Sequence, residues 1–184
     1  MPDAPLRDET VAAAARGETA ALNAIYAQLS PVVLGYLRAK GVSDPEAVTN
    51  DVFLALLPQV RRVKGGASGL RKLTFTIAHA RMVDDHRNRA RNPQPLPYEP
   101  EEDLRTAESA EDTAQLNLGV EAVRGVLALL PDDQQEVLRL RVIADLSLEQ
   151  TAEIMGRSTG AVKQLQRRGL LALKSALAER RVTL

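Results

Sequence analysis

Between two segments of helical periodicity runs NPQPLPYEPEEDLRTAESAEDTAQ, residues 92–115, with four prolines and seven acidic residues against a single basic one. Proline removes backbone donors and fixes φ, and like charges repel, so such a stretch favours an extended, solvated chain over a packed element. A structureless connection of this length is out of place inside one compact domain, so it predicts a boundary. The chain is expected to be all-α, with two small helical domains at residues 10–91 and 117–180 joined by a flexible acidic, Pro-rich linker over 92–116. Fully extended, the linker would reach roughly 80 Å.

Both flanks read as helix. In ALNAIYAQLSPVVLGYLRAKG, apolar residues recur at helical spacing (Leu22, Ile25, Tyr26, Leu29, then Val33, Tyr36, Leu37), with Pro31 able to kink the helix and Gly41 ending it. Asp44 and Pro45 then supply an N-cap and a first helical residue, and Val48, Val52, Ala55 and Leu56 an inward stripe. The glycine-rich RRVKGGASG is expected to interrupt helix, which resumes in LRKLTFTIAHARMVDDHRNRARN with Leu73, Ile77, Ala80 and Val83 or Asp84 on one face. Beyond the linker four helices are predicted: one stopped by Pro131, one capped by Asp132 or Asp133, one opened by the Ser147/Gln150 capping box, and one capped by Ser158.

Aromatics are only 3% of the chain and Trp is absent, so aliphatic cores are expected. With no cysteine, disulfides, thiolate zinc sites and direct thiol redox sensing are excluded. No apolar run approaches the roughly 20 residues of a membrane span, and MPDAPLRDET lacks the basic and apolar parts of a signal peptide, so a cytoplasmic protein without membrane insertion is expected.

The net charge of zero conceals strong segregation: −3 over residues 1–60, +7 over 61–91, −6 over 92–116, −4 over 117–156 and +6 over 157–184. Two basic blocks in a neutral chain predict two surfaces that meet polyanions. The second block contains EIMGRSTGAVKQLQRRG. A helix-turn-helix needs a small residue inside its first helix, a flexible residue at the turn and apolar residues on the inner side of its second, and Ala152, Gly156, Val162 and Leu165 meet those demands. Ser158, Thr159, Gly160, Lys163, Gln164, Arg167 and Arg168 are left facing outward. Lys163 and Gln164 can bond base edges, and Arg167, Arg168 and Lys174 can hold phosphate, with the first turns in a major groove. In the first block, Arg61, Arg62 and Lys64 precede a glycine loop, and Arg71, Lys72, His79, Arg81, His86, Arg87, Arg89 and Arg91 follow on a helix. A mobile loop beside a basic helix suits single-stranded or opened DNA.

SDPEAVTNDVFLALLPQVRRV, FTIAHARMVDDHRNR and LPDDQQEVLRLRVIADLSLEQTAEIMGRSTGAVKQLQRRGLLALKSAL resemble, in this order, regions 2 and 4 of bacterial RNA polymerase sigma factors of the extracytoplasmic-function type. The resemblance covers about residues 10–91 and 117–178. It implies that the helix from Asp44 to Leu57 docks on the beta-prime clamp helices of core RNA polymerase, with Glu46, Asn50, Asp51 and Phe53 in contact. It implies recognition and opening of the promoter -10 element by Arg61, Arg62, Lys64, Arg71, Lys72, Phe75, His79, Arg81, Asp84, His86 and Arg87. Residues 158–168 would read the -35 element, the region 4 helices would rest on the beta flap, and an anti-sigma factor is the expected regulatory partner. The two elements lie about two helical turns apart, roughly 70 Å, within the linker's reach. The chain departs from the family's pattern at Ala47 and Asn50 in the docking helix, at Leu70 and Leu73 where aromatics are usual, and at Ala80 in place of Asn.

Other functions fit less well. His79 and His86 share a helical face near Asp84 and Asp85, but no further histidine exists to complete a metal site, so no metal or other cofactor is expected. KGGASG lacks the Lys-Ser/Thr ending of a phosphate-binding loop, and no nucleophile has a base beside it, so a non-enzyme is expected. The C-terminal helix-turn-helix also looks like the LuxR type, although those usually follow a strand-helix domain; a degenerate sigma-like protein-binding module is the other alternative.

Overall fold

The computed structural model describes residues 6–91, 127 and 129–182, and every regular element among them is helical. The N-terminal half comprises α1 (Asp8–Ala15), α2 (Thr19–Ala39), α3 (Pro45–Leu56), a 3-10 turn at Leu57–Arg62, and α4 (Gly66–Arg91). The C-terminal half comprises α5 (Asp132–Leu138), a π-turn at Arg139–Ile143, α6 (Leu148–Met155) and α7 (Thr159–Val182). The expected linker and the first of the four expected downstream helices lie outside the described residues, apart from Leu127 and Leu129–Pro131.

The predicted caps account for several boundaries. The Asp44 carboxylate accepts from the Ala47 N–H at 2.9 Å, with Pro45 opening α3. Ser147 and Gln150 close a full capping box on α6. The cap of α5 differs from expectation: Pro131 is its N-cap and makes no side-chain bond, while Asp132 and Asp133 stand in its first turn, where carboxylates favour the positive end of the helix. Helix α4 also starts earlier than the glycine content suggests, at Gly66, because Asp8 of α1 accepts the orphan N–H of Ala67 at 2.7 Å. Pro31 does not break α2.

In the N-terminal half, α2 and α3 pack together, α4 packs on both, and α1 lies across α2 and α4. By length and composition α2 could cross a membrane, contrary to the reading that no run is long and apolar enough, but its stripe of Ile25, Leu29, Val33, Tyr36 and Leu37 is buried in the core. The core is less purely aliphatic than composition suggests. Tyr36 and Phe75 meet edge to face at 5.6 Å, both fully buried, and Tyr26 meets Phe53 at 4.7 Å. Such edge-to-face pairs add to what area burial alone supplies.

The same core continues into the C-terminal half. Leu140, Ala144 and Leu146 are buried in one cluster with Ile25, Leu37, Leu70 and Phe75, and Ile154 and Met155 pack against it. A second, smaller cluster of Val137, Ala152 and Val162 lies inside the C-terminal half, flanked by Leu148 and Leu165. The two halves are thus docked through shared apolar surface.

Candidate nucleic-acid interfaces

The helix-turn-helix is built as its sequence requires. Gly156 ends α6 in the left-handed region at φ 61°, and the Arg157 N–H bonds back to the Ala152 carbonyl at 3.0 Å. A residue with a Cβ would strain that turn. The Ser158 hydroxyl accepts from the Ala161 N–H at 3.2 Å and starts α7. Ala152 and Val162 are buried and Leu165 is half-buried against them, which fixes the rotation of α7. Ser158, Thr159, Gly160, Lys163, Gln164, Arg167 and Arg168 consequently all stand exposed along the first three turns. Arg157 lies outside this set and pairs with Asp133 at 2.5 Å.

The basic surface of α4 is organised differently. Its fully buried stripe is Leu70, Thr74, Phe75, Ala78 and Met82, with the expected Leu73, Ile77 and Val83 half-buried against the same core and Ala80 exposed. This arrangement buries Phe75 completely, so its ring is a core element and unavailable to stack on a base, a correction to the expected role. The preceding loop is tight: a Cβ on Gly69 would sit 1.8 Å from the Lys64 carbonyl oxygen. Arg61, Arg62, Lys64, Arg81, Asp84, His86 and Arg87 are exposed, with the His86 Nε2 3.0 Å from the Lys40 carbonyl oxygen.

Three further residues assigned to this surface are engaged with the C-terminal half instead of standing free. Arg71 bonds the Asp145 carboxylate at 2.7 Å, and Lys72 pairs with Glu153. His79 Nδ1 lies 3.0 Å from the Tyr36 hydroxyl and 3.2 Å from Glu136 Oε1. Glu136 is buried, accepts from the Tyr36 hydroxyl at 2.6 Å, and has the Lys40 ammonium 2.9 Å from Oε2. Burial by itself would raise the Glu136 carboxyl, but the His79 hydrogen bond, the Lys40 charge and the Tyr36 hydroxyl outweigh it and hold the group down at about 2. Burial and the neighbouring Glu136 charge push the Tyr36 phenol up. A cleft of about 520 Å³ opens beside these pairs, with Arg62, Lys64, Lys72 and Thr76 on one side and Glu153 and Ile154 on the other.

On α3, Glu46, Asn50 and Asp51 are exposed as expected. The Arg38 guanidinium bonds Glu46 and lowers its carboxyl, and the Tyr26 hydroxyl donates to Asn50 at 3.4 Å. Phe53 is 2% exposed beneath Tyr26, so it shapes this face from below and does not belong to the contact surface, a second correction. Leu54, which sequence reasoning passed over, is 71% exposed on the same helix. No cluster of three or more potential metal ligands occurs among the described residues.

The chain is similar to known proteins in sequence and in fold. Residues 126–175 match the family described as sigma-70, region 4. The chain is 30% identical over 178 residues to the ECF RNA polymerase sigma factor SigD of Mycobacterium tuberculosis, covering 92% of this chain and 83% of that protein. It is also 30% identical over 180 residues to the ECF RNA polymerase sigma factor ShbA of Streptomyces griseus, covering 90% and 92%. In fold it is similar to CnrH, whose structure was solved in complex with the cytosolic domain of CnrY, with a TM-score of 0.59 and 21% identity over 94% of this chain and 97% of that one.

Proposed function

The chain belongs to the ECF RNA polymerase sigma factors, and on that premise we propose how its surfaces divide the work of promoter selection. The C-terminal half reads the -35 element through α7, and the N-terminal half engages the -10 element through α4 and the loop before it. The observation that carries this assignment is the exposed face of Ser158, Thr159, Gly160, Lys163, Gln164, Arg167 and Arg168, mounted on a capped turn and held in rotation by Val162. The helix start presents small residues and free N–H groups to a groove, and the cations behind it reach phosphate. Membership of this family also sets the LuxR-type reading aside, since the N-terminal half is helical throughout its described residues.

In this reading, Glu46, Asn50, Asp51 and Leu54 on α3 meet the clamp helices of core polymerase, while the C-terminal helices rest on its beta flap. The protein acts in the cytoplasm by binding, with an anti-sigma protein as its regulatory partner.

Promoter-directed transcription with core polymerase tests the assignment. The Lys163→Ala/Arg167→Ala double variant is expected to lose promoter affinity by roughly 2 kcal/mol or more, and to flatten the salt dependence by about one to two contacts. An unchanged salt slope would remove α7 from the interface. Asp51→Arg, on an exposed position of α3, is expected to abolish co-purification with core polymerase while the variant's helical circular dichroism stays intact. Retained co-purification would move the docking surface elsewhere.

A further inference from the structure

We propose that Asp8 is a positioning residue for -10 selection: from α1, which carries none of the contacts assigned above, it fixes the start of α4 and the loop before it, and so aims Arg62 and Lys64. The inference rests on the assignment of that loop to the -10 element and names what holds it in shape.

The loop lacks the means to end itself. A helix start leaves its first N–H groups without intrahelical acceptors, and the residue just ahead of it commonly supplies a side-chain oxygen. Ahead of α4 stand Val63, Lys64 and Gly65, none with an acceptor side chain, and the helix opens on GASG, whose Gly66 and Gly69 have low helix propensity. The missing acceptor comes from 59 positions earlier, where Asp8 Oδ1 receives the Ala67 N–H at 2.7 Å. The carboxylate also meets the positive end of the helix dipole. Gly66 is what admits it: at φ 56°, a Cβ there would lie 2.1 Å from Asp8 Oδ1.

Helix α1 is well anchored for this task. Leu6, Val11 and Ala14 are buried in the large cluster, and Val63 and Ala67 pack against the same cluster. α1 packs on the 3-10 turn as well as on α4, and the turn that ends it runs beside Arg61, whose Nη2 lies 3.3 Å from where a Cβ on Gly17 would stand. One helix thus braces residues 61–69 at both ends. Between the braces the Gly69 N–H bonds the Gly65 carbonyl at 3.0 Å while the Lys64 carbonyl crowds Gly69, so Arg62 and Lys64 project from a backbone of fixed path. The glycines suggest a mobile loop, and the geometry shows a set one. Asp8 is itself exposed, so losing its carboxylate leaves the core packing in place.

The test uses the full chain with core polymerase and a promoter library varied separately in the -10 and -35 elements. Asp8→Ala is expected to flatten the -10 preference roughly tenfold, the scale on which small displacements of a positioned group act. The -35 preference, co-purification with core polymerase and helical circular dichroism are expected to match the unsubstituted chain. Asp8→Asn, which keeps an acceptor oxygen in place, is expected to retain the -10 preference within about twofold. A cap with a merely structural role would lower the thermal midpoint of Asp8→Ala and leave both preferences unchanged, and that result overturns the inference. So does an Asp8→Asn variant as impaired as Asp8→Ala, because the acceptor would then not be what matters. Lys64→Ala separates the two levels. If it flattens the -10 preference and Asp8→Ala does not, the positioning role falls and the loop's assignment stands; if neither variant changes the preference, the assignment of the loop falls and the inference with it.

Discussion

Phe75→Ala is expected to destabilise the protein by about 3–5 kcal/mol, read as a lower denaturant midpoint, whereas Phe75→Leu loses far less and keeps DNA binding. The ring is completely buried and meets Tyr36 edge to face at 5.6 Å in the cluster that includes Leu140 and Leu146. Truncation would open a cavity where the two halves meet. If the ring instead stacked on an unpaired base, Phe75→Ala would leave the midpoint unchanged and both substitutions would impair promoter opening.

The second large effect concerns Glu136. Its carboxyl is held at about 2 in the docked chain, below the ordinary value of 4.5 that it regains when the halves separate. A group whose docked value is depressed stabilises the docked form fully above the undocked value and loses that contribution as pH falls through the docked one. Glu136 therefore contributes about 3 kcal/mol to docking at neutral pH, lost progressively between about pH 4.5 and 2. Glu136→Gln is expected to be less stable than the unsubstituted chain at pH 7, and the two stability curves should converge near pH 2. The substitution isolates this residue from the other carboxylates that titrate in the same range. Curves that stay parallel across the whole range would show that Glu136 does not hold the halves together.

Local signals in the sequence suffice for the geometry of the C-terminal turn and the helix after it. The spacing of Ala152, Gly156, Val162 and Leu165 fixes the turn and the rotation of α7, and the exposed row from Ser158 to Arg168 follows from that rotation. Caps such as Asp44 and the Ser147/Gln150 box are legible because each involves residues three apart. What escaped was non-local. On α4 the buried face extends past the expected Leu73 and Ile77 to take in Phe75, and aromatics on a basic helix carry no local mark of which face they occupy. Phe53 was misplaced for the same reason, whereas the exposed Leu54 beside it resembled an ordinary core residue.

The interhalf contacts were still less accessible. Tyr36 and Glu136 lie 100 positions apart, and Arg71 and Asp145 lie 74 apart. Charge segregation indicated that residues 61–91 seek anions, but periodicity could not show that one answer is the acidic surface of the same chain. The reading of residues 92–115 as a tether also led toward two independent cores, and the continuity from Phe75 to Leu146 could be found only in three dimensions.

That continuity ties the fate of the molecule to the company it keeps. Pulling the halves apart wets Leu140, Ala144 and Leu146 together with the N-terminal side chains they cover, so an unaccompanied open chain is a sticky, cleavable species. Only a partner offering replacement cover can hold that form for long. A chain that opens without such cover must therefore close onto itself again or be degraded, and its susceptibility to protease would report how often it opens.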